Sequence, residues 1–282
     1  MAFKLKLMCA AACLAAASAQ AVPVTMTAEQ RVNGHWLLDG DSGVLQFSSL
    51  LISALNTAKV SLSAVSPADL QVSTTSTTSS TGVVTTRFSG VSASAPITAL
   101  SGDLDEQTDV FTVQQVSTLG GATQTTIKNG ATDGAGFLSI RNLQVDLLTK
   151  RVYADISGGN GVGDIQGYHL WTYTSLTGST SLSIPPALAG QVTSTNTLSG
   201  LFAPIAAMDL IDQALNLNSI GRSSLNTVND PTKGGGAGFG SIVSSIRVVA
   251  VPEPQALSQL GVGLLGLGLV SLARRRSVHT QV

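Results

Sequence analysis

Few residues in this chain are equipped for chemistry, and they are scattered. Gly40-Asp41-Ser42-Gly43 sets a serine between small residues, an arrangement in which a nucleophilic hydroxyl can sit beside oxyanion-stabilising backbone amides. Such a serine needs a histidine base and a carboxylate to orient that base. Only His35 and Asp39 precede it, too near the start of the chain for the large domain that a triad of this order places before its serine, so the tetrapeptide reads as a polar turn. The chain has 3 histidines. His169 alternates with Tyr168 and Leu170 beside Trp171 and reads as a strand residue, which leaves almost no material for a histidine-based metal or triad site.

Carboxylates cluster once, at Asp103, Asp105, Glu106 and Asp109 after Gly102. Oxygen-rich runs of this kind can ligate Ca²⁺, because a hard cation takes several oxygens from a flexible loop. A dedicated calcium loop also needs a glycine and a closing glutamate at fixed positions, and neither is present. These four residues therefore read first as a solvated loop and second as a calcium site.

The glycine runs carry no cofactor. Gly261-Val262-Gly263-Leu264-Leu265-Gly266 has dinucleotide-fingerprint spacing, but it lies inside an apolar run with no strand before it and no βαβ unit around it. Gly234-Gly235-Gly236-Ala237-Gly238-Phe239-Gly240 lacks the Gly-Lys-Ser/Thr ending of a phosphate loop and precedes a strand-like segment, so it reads as a flexible turn. Gly158-Gly159-Asn160-Gly161-Val162-Gly163-Asp164 occurs as one copy of a pattern that binds calcium only when stacked, and reads as a glycine-rich turn.

The two ends are more specific than the middle. At the N-terminus, Lys4 and Lys6 precede an apolar stretch, Leu7 to Ala17, and small residues around Ala17-Ser18-Ala19-Gln20-Ala21. This is the pattern of a secretory signal peptide over 1–21. Both cysteines, Cys9 and Cys13, lie inside it, so the exported part has neither disulfide nor thiolate. At the C-terminus, Val251-Pro252-Glu253-Pro254 is followed by an uncharged run over about 256–273 and then by Arg274, Arg275 and Arg276. About 17 residues at the helical rise reach roughly 26 Å, the short end of what crosses a bilayer core. The arginines set the orientation, with that end facing the cytoplasm. Pro252 and Pro254 interrupt helix and bias their neighbours to extended backbone, which predicts an accessible strip outside the membrane.

This order of Pro-Glu-Pro, Gly/Leu-rich membrane segment and arginine cluster resembles the PEP-CTERM sorting signal of Gram-negative bacteria, over about thirty residues only. The resemblance implies recognition of Val251, Pro252, Glu253 and Pro254 by an exosortase-type enzyme and removal of the hydrophobic tail. It also implies a destination at the cell surface or in the extracellular matrix, where substrates of this system associate with exopolysaccharide and biofilm. Signal peptidase and the inner membrane are the other implied partners. No cofactor is implied.

Between the ends, charge excludes one class of partner. The chain carries 15 basic and 16 acidic residues; without Lys4, Lys6 and the three terminal arginines, 10 basic face 16 acidic, a net charge of −6. Such a surface has no counterion-release footprint for nucleic acid.

The elements that must position everything else are strands. Aromatic residues make up 4% of the chain and charged residues 11%, while Ser, Thr, Gly, Val, Ala and Leu dominate, a composition suited to pleated surfaces and turns. Roughly 230 residues, 22–250, are enough for a full core. Leu143, Val145 and Leu147, then Val152, Ala154 and Ile156, alternate with polar residues on either side of a turn at Thr149 and Lys150, which predicts a hairpin from Gly136 to Ser157. Further strands are predicted over Val83–Phe88, Val110–Val116, Ala122–Lys128, Gly167–Thr174 and Ser241–Val251. Ile205, Met208, Ile211 and Leu215 after Pro204 follow helical spacing, with Gly221 beyond the helix end. Ser48 to Lys59 reads as a helical turn feeding a strand. Ser73 to Thr86 is too rich in Ser and Thr to bury itself and reads as a loop. The expectation is a mainly β, antiparallel, sandwich-like ectodomain with one or two short helices, plus a C-terminal transmembrane helix.

On these residues the protein is expected to be an exported structural or adhesive surface protein without enzymatic activity. A carbohydrate or small-ligand binding module is the alternative, and it needs Trp36, Trp171, Tyr168 or Tyr173 exposed on one face. A secreted hydrolase, which needs an acid/base pair, follows behind.

Overall fold

The computed structural model describes residues 22–30, 36–39, 42–183 and 190–250. The leader over 1–21 and the segment 251–282, with the Pro-Glu-Pro strip, the apolar run and the three arginines, lie outside the described residues. Among the described residues no helix is long and apolar enough to cross a membrane.

The chain begins with strands β1 (Val22–Thr27), β2 (Trp36–Leu38) and β3 (Ser42–Phe47), then helix α1 (Ser49–Thr57). Strands β4 (Ser61–Val65), β5 (Asp69–Thr78), β6 (Val84–Asp105), β7 (Val110–Thr118) and β8 (Gly121–Thr126) follow. Next come β9 (Gly136–Asp146), β10 (Arg151–Gly158), β11 (Gly163–Thr177), β12 (Ser181–Ser183) and β13 (Gln191–Phe202). Helices α2 (Ile205–Leu215) and α3 (Ser219–Val228) and a 3₁₀ turn at Gly234–Gly236 lead into the last strand, β14 (Gly240–Ala250). The mainly β antiparallel architecture is as expected, with three short α-helices where one or two were predicted.

The expected sandwich is replaced by a single sheet that closes on itself. Hydrogen-bonded neighbours run β7-β6-β3-β14-β13-β11-β10-β9, and β9 returns to β7 through Gln115↔Asp146, Val116↔Val145 and Ser117↔Gln144. Every ladder in this ring is antiparallel. Closure removes the edges that an open sheet would leave unpaired. The 22-residue strand β6 makes this possible by serving four partners. It pairs β5 over 84–94, β3 over 92–96, β7 over 97–105 and β1 over 99–104.

Strict alternation puts one face of the ring in the core. Ile242, Ser244, Ile246 and Val248 of β14 are buried while Ser241, Val243, Ser245 and Arg247 between them are half-exposed. Val152, Ala154 and Ile156 of β10 are buried in the same way and pack with Phe111, Leu138, Leu170 and Leu198. Each of the Val, Leu, Ile and Phe side chains among them contributes about 1.5–3 kcal/mol when taken from water.

The helices lie against that inward face. Ser48 caps α1: its Oγ accepts from the Leu51 amide at 3.1 Å and donates to the Gly238 carbonyl at 2.6 Å, so one hydroxyl ties the helix start to the approach of β14. Leu51 and Leu55 are thereby turned into the core. Pro204 precedes α2 as its N-cap, and α2 ends at Asn216, whose φ of 52° is the left-handed cap conformation. The expected helix end at Gly221 is corrected, because Gly221 lies inside α3, which Asn218 caps by accepting from the Ile220 and Gly221 amides.

The Ser73–Thr86 loop expectation is also corrected. Ser73–Thr78 and Val84–Thr86 are strand, joined by a turn over 79–83, and form a ribbon exposed on both faces. Burial was never required for the pairing. Ser and Thr can fill a backbone ladder that faces water on both sides, and the Asn56 side chain anchors its base. Asn56 Nδ2 donates to the Phe88 carbonyl at 2.9 Å and the Phe88 amide donates to Asn56 Oδ1 at 2.8 Å, completing the ladder where β5 and β6 slip register.

Candidate functional site

The sorting residues Val251, Pro252, Glu253 and Pro254, and Arg274, Arg275 and Arg276, fall outside the described residues, as do His35, Gly40 and Asp41. What remains of the serine tetrapeptide is strand and not turn. Ser42 pairs with Pro96, and Gly43 faces the barrel interior. Asp39 is engaged elsewhere: Arg247 Nε lies 2.9 Å from its Oδ2 and the two backbones pair, fastening the segment after β2 to β14.

The acidic run forms the hairpin turn between β6 and β7. Asp105 Oδ2 accepts from the Thr108 hydroxyl and Oδ1 from the Gln107 amide, which together hold its carboxyl below the ordinary range. Asp103, two residues earlier, accepts from Gln114 Nε2 across the hairpin. Asp109 sits at φ 53°, a turn conformation that aspartate tolerates. The structure does not gather Asp103, Asp105, Glu106 and Asp109 around one point. Among the described residues no group of three or more His, Asp or Glu side chains is placed to hold a metal ion.

Of the aromatic residues that a carbohydrate platform needs, Trp171 and Tyr173 point inward, and the Trp36 side chain lies outside the described ones. Trp171 and Tyr173 are each 3% exposed and belong to the core. Tyr168 and His169 are half-buried, and His169 packs against Tyr153 at 5.5 Å between ring centres. Burial, together with the nearby charge of Arg151, pushes the His169 imidazole below its ordinary value, against an opposing backbone hydrogen bond with Trp171.

Among the concave sites that the sequence did not announce are two lined by residues with unpaired buried polar atoms. One is an open polar depression of about 400 Å³ beside α2, where Asp133, Asp209, Asp212 and Arg222 meet. Arg222 Nε stands 3.3 Å from Asp212 Oδ2, while Asp212 Oδ1 is buried without a partner. Desolvation raises the Asp212 pKa; Arg222 opposes the shift and Asp209 adds to it.

The other is an apolar cavity of about 100 Å³ inside the ring. Alternate residues of successive strands supply its walls: Gly43, Leu45 and Phe47 from β3, Ala93 and Ala95 from β6, Leu138, Ile140, Leu143 and Val145 from β9, Ile242 and Ser244 from β14. Leu51, Ala54, Leu55 and Ala58 of α1, Ile211 and Leu215 of α2, and Leu225 of α3 close it. Trp171 and Phe239, with ring centres 5.9 Å apart, form an aromatic corner, and Trp171 Nε1 is buried with no hydrogen-bond partner. At about 24 cal/mol per Å³, an empty void of this size costs on the order of 2 kcal/mol. The available sequence signal was the alternation Ser92-Ala93-Ser94-Ala95, small residues at period two between the larger apolar Val91 and Ile97 of the same strand.

No protein-family model, curated protein or solved structure matches this chain, so functional assignment rests on its own residues.

Proposed function

We propose that the protein is exported, anchored by its C-terminal segment and processed at the Val251-Pro252-Glu253-Pro254 strip by an exosortase-type enzyme, and that its β-rich body serves a structural or adhesive role at the envelope. Signal peptidase removes the leader, and the apolar run holds the chain in the inner membrane until the second cut. The body is then delivered to the surface or to an exopolysaccharide matrix. The observation that carries the proposal is the order of three independent parts in the sequence: the proline-glutamate strip, the uncharged run and the arginine cluster. Two features of the fold support it. Strand β1 begins at Val22 and β14 ends at Ala250, so both cuts flank the sheet and neither severs a strand of the ring. The β5–β6 ribbon also presents Ser and Thr hydroxyls on both faces, a hydrated surface suited to contact with polysaccharide.

The test is the intact mass of the protein isolated from cells that make it. A species starting near Gln20 or Val22 and ending near Pro254 is expected, and Pro252→Ala or Glu253→Gln should leave the tail attached. Recovery of wild-type protein with its C-terminus intact through Val282 sinks the processing proposal and leaves a plain anchor.

A further inference from the structure

We infer that the cavity inside the ring is a binding site for a small, uncharged, mostly apolar molecule carrying one hydrogen-bond acceptor. This inference is independent of the sorting proposal, because every residue it uses lies within the described sheet and helices.

Protein interiors are packed to crystal-like density and keep few voids larger than a water molecule. Here the void is built by pattern. Gly43, Ala93, Ala95 and Ala122 occupy wall positions on three different strands, β3, β6 and β8, where larger aliphatic residues would close the space. Leu45, Ile140 and Leu143 line the same void and keep accessible surface although they pack on the core. An apolar cavity of comparable size stays dry and takes up benzene-sized molecules, and eight-stranded barrels have an interior just wide enough for side chains or one small ligand.

The lining chemistry narrows the ligand. None of the described lining residues is charged, so an ionic ligand would be buried without a counterion and is excluded. The ring of Leu, Ile, Val and Phe side chains suits a compact hydrocarbon frame. Trp171 supplies the exception. An indole N–H that is buried usually finds an acceptor, yet this one has none in the protein while its residue lines the cavity. A carbonyl, ether or hydroxyl oxygen on the ligand would satisfy it, and Ser244 and Gln124, which also line the void, add polar positions. The class is therefore small cyclic or short-chain ketones, esters and alcohols of roughly six to ten heavy atoms.

The test uses the full chain in lipid nanodiscs with Trp36→Phe, leaving Trp171 as the one tryptophan, labelled with fluorotryptophan and followed by fluorine NMR. Cyclohexanone is the probe and cyclohexanecarboxylate its charged counterpart. A saturable shift of the Trp171 signal is expected with cyclohexanone and none with the carboxylate. Ala95→Leu and, separately, Ala93→Leu should weaken cyclohexanone binding at least tenfold. Non-saturating behaviour in the parent, equal response to the carboxylate, or undiminished binding in a folded filling variant would each overturn the inference. If a filling variant fails to fold, the contrast between the two probes on the parent still decides it.

Discussion

Val116 of β7 stands directly opposite Val145 of β9, and both are buried. This pair is the middle of the three that join the two ends of the eight-strand path, and both side chains also line the apolar cavity. Truncating either one loses buried methyl groups beside a void that already exists, so Val116→Ala and Val145→Ala should each cost about 1–3 kcal/mol. Because the two residues touch across the seam, their effects should not add. A double-mutant cycle from urea unfolding is expected to give a coupling of about 0.5–1 kcal/mol. Strict additivity would mean that the seam is not a packed contact.

Gly121 tests the same region through the backbone. It opens β8 after the β7–β8 turn, and a Cβ built there would lie 2.0 Å from the Ile140 carbonyl oxygen and 2.9 Å from the Arg141 Cα. Those atoms belong to the paired strand β9 and cannot swing aside as a side-chain tip can. Gly121→Ala should therefore destabilise by about 3–5 kcal/mol, whereas Gly130→Ala, which meets nothing within 4 Å, should stay within about 0.5 kcal/mol. Thermal unfolding of the two variants side by side checks the contrast.

The hairpin of β9 and β10 was legible because Val145, Val152, Ala154 and Ile156 place apolar groups on one face, with polar residues beside them. In the β5–β6 ribbon the β6 half was legible at Val83–Phe88 but the β5 half was not, since both of its faces meet water and its Ser/Thr sequence has no hydrophobic period to read. Helix α3 escaped for a related reason: Leu225 and Val228 are its only large buried side chains, and the surviving cue was Asn218 as a cap. The binding-module alternative needs aromatic residues exposed on one face, and the alternation of Trp171 and Tyr173 with exposed Thr172 and Thr174 places these two on the inward face. The cavity is the least readable feature. It arises where Gly43, Ala93, Ala95 and Ala122 converge from strands far apart in sequence, and only the register of β6 against β3 and the closure at Val116 and Val145 bring them together.

Two titrating groups should pull stability in opposite directions with pH. His169 is pushed below the ordinary imidazole value of 6.5, chiefly by burial, so the unfolded chain takes up the proton first and folding stability falls as pH drops below about 6.5. Asp212 is raised above 3.8, chiefly by desolvation, so the folded chain holds its proton longer and stability falls as pH rises from 3.8 through the raised value. In urea titrations, the advantage of wild type over His169→Gln should shrink on going from pH 7.5 to 5.5. The stability of Asp212→Asn relative to wild type should rise between pH 3.5 and 7. A flat difference in either series would show that the group keeps its ordinary pKa in the fold.

The β5–β6 ribbon should open without the ring. Beyond the anchor between Asn56 and Phe88, the pairs Thr75↔Arg87 through Thr78↔Val84 have solvent on both faces and no apolar layer beneath them. Their hydrogen bonds therefore break at little cost, whereas β14 pairs with β13 over 241–249 and with β3 over 240–244, above a buried face. Native-state hydrogen exchange should find the ribbon amides exchanging roughly a hundredfold or more faster than those of β14. Replacing Ser76–Thr86 by a short Asn-Gly turn should then leave global stability within about 1 kcal/mol. Equal protection in the two strands would mean that the ribbon is packed against something that covers it, and that its hydroxyls are not free to meet a hydrated partner.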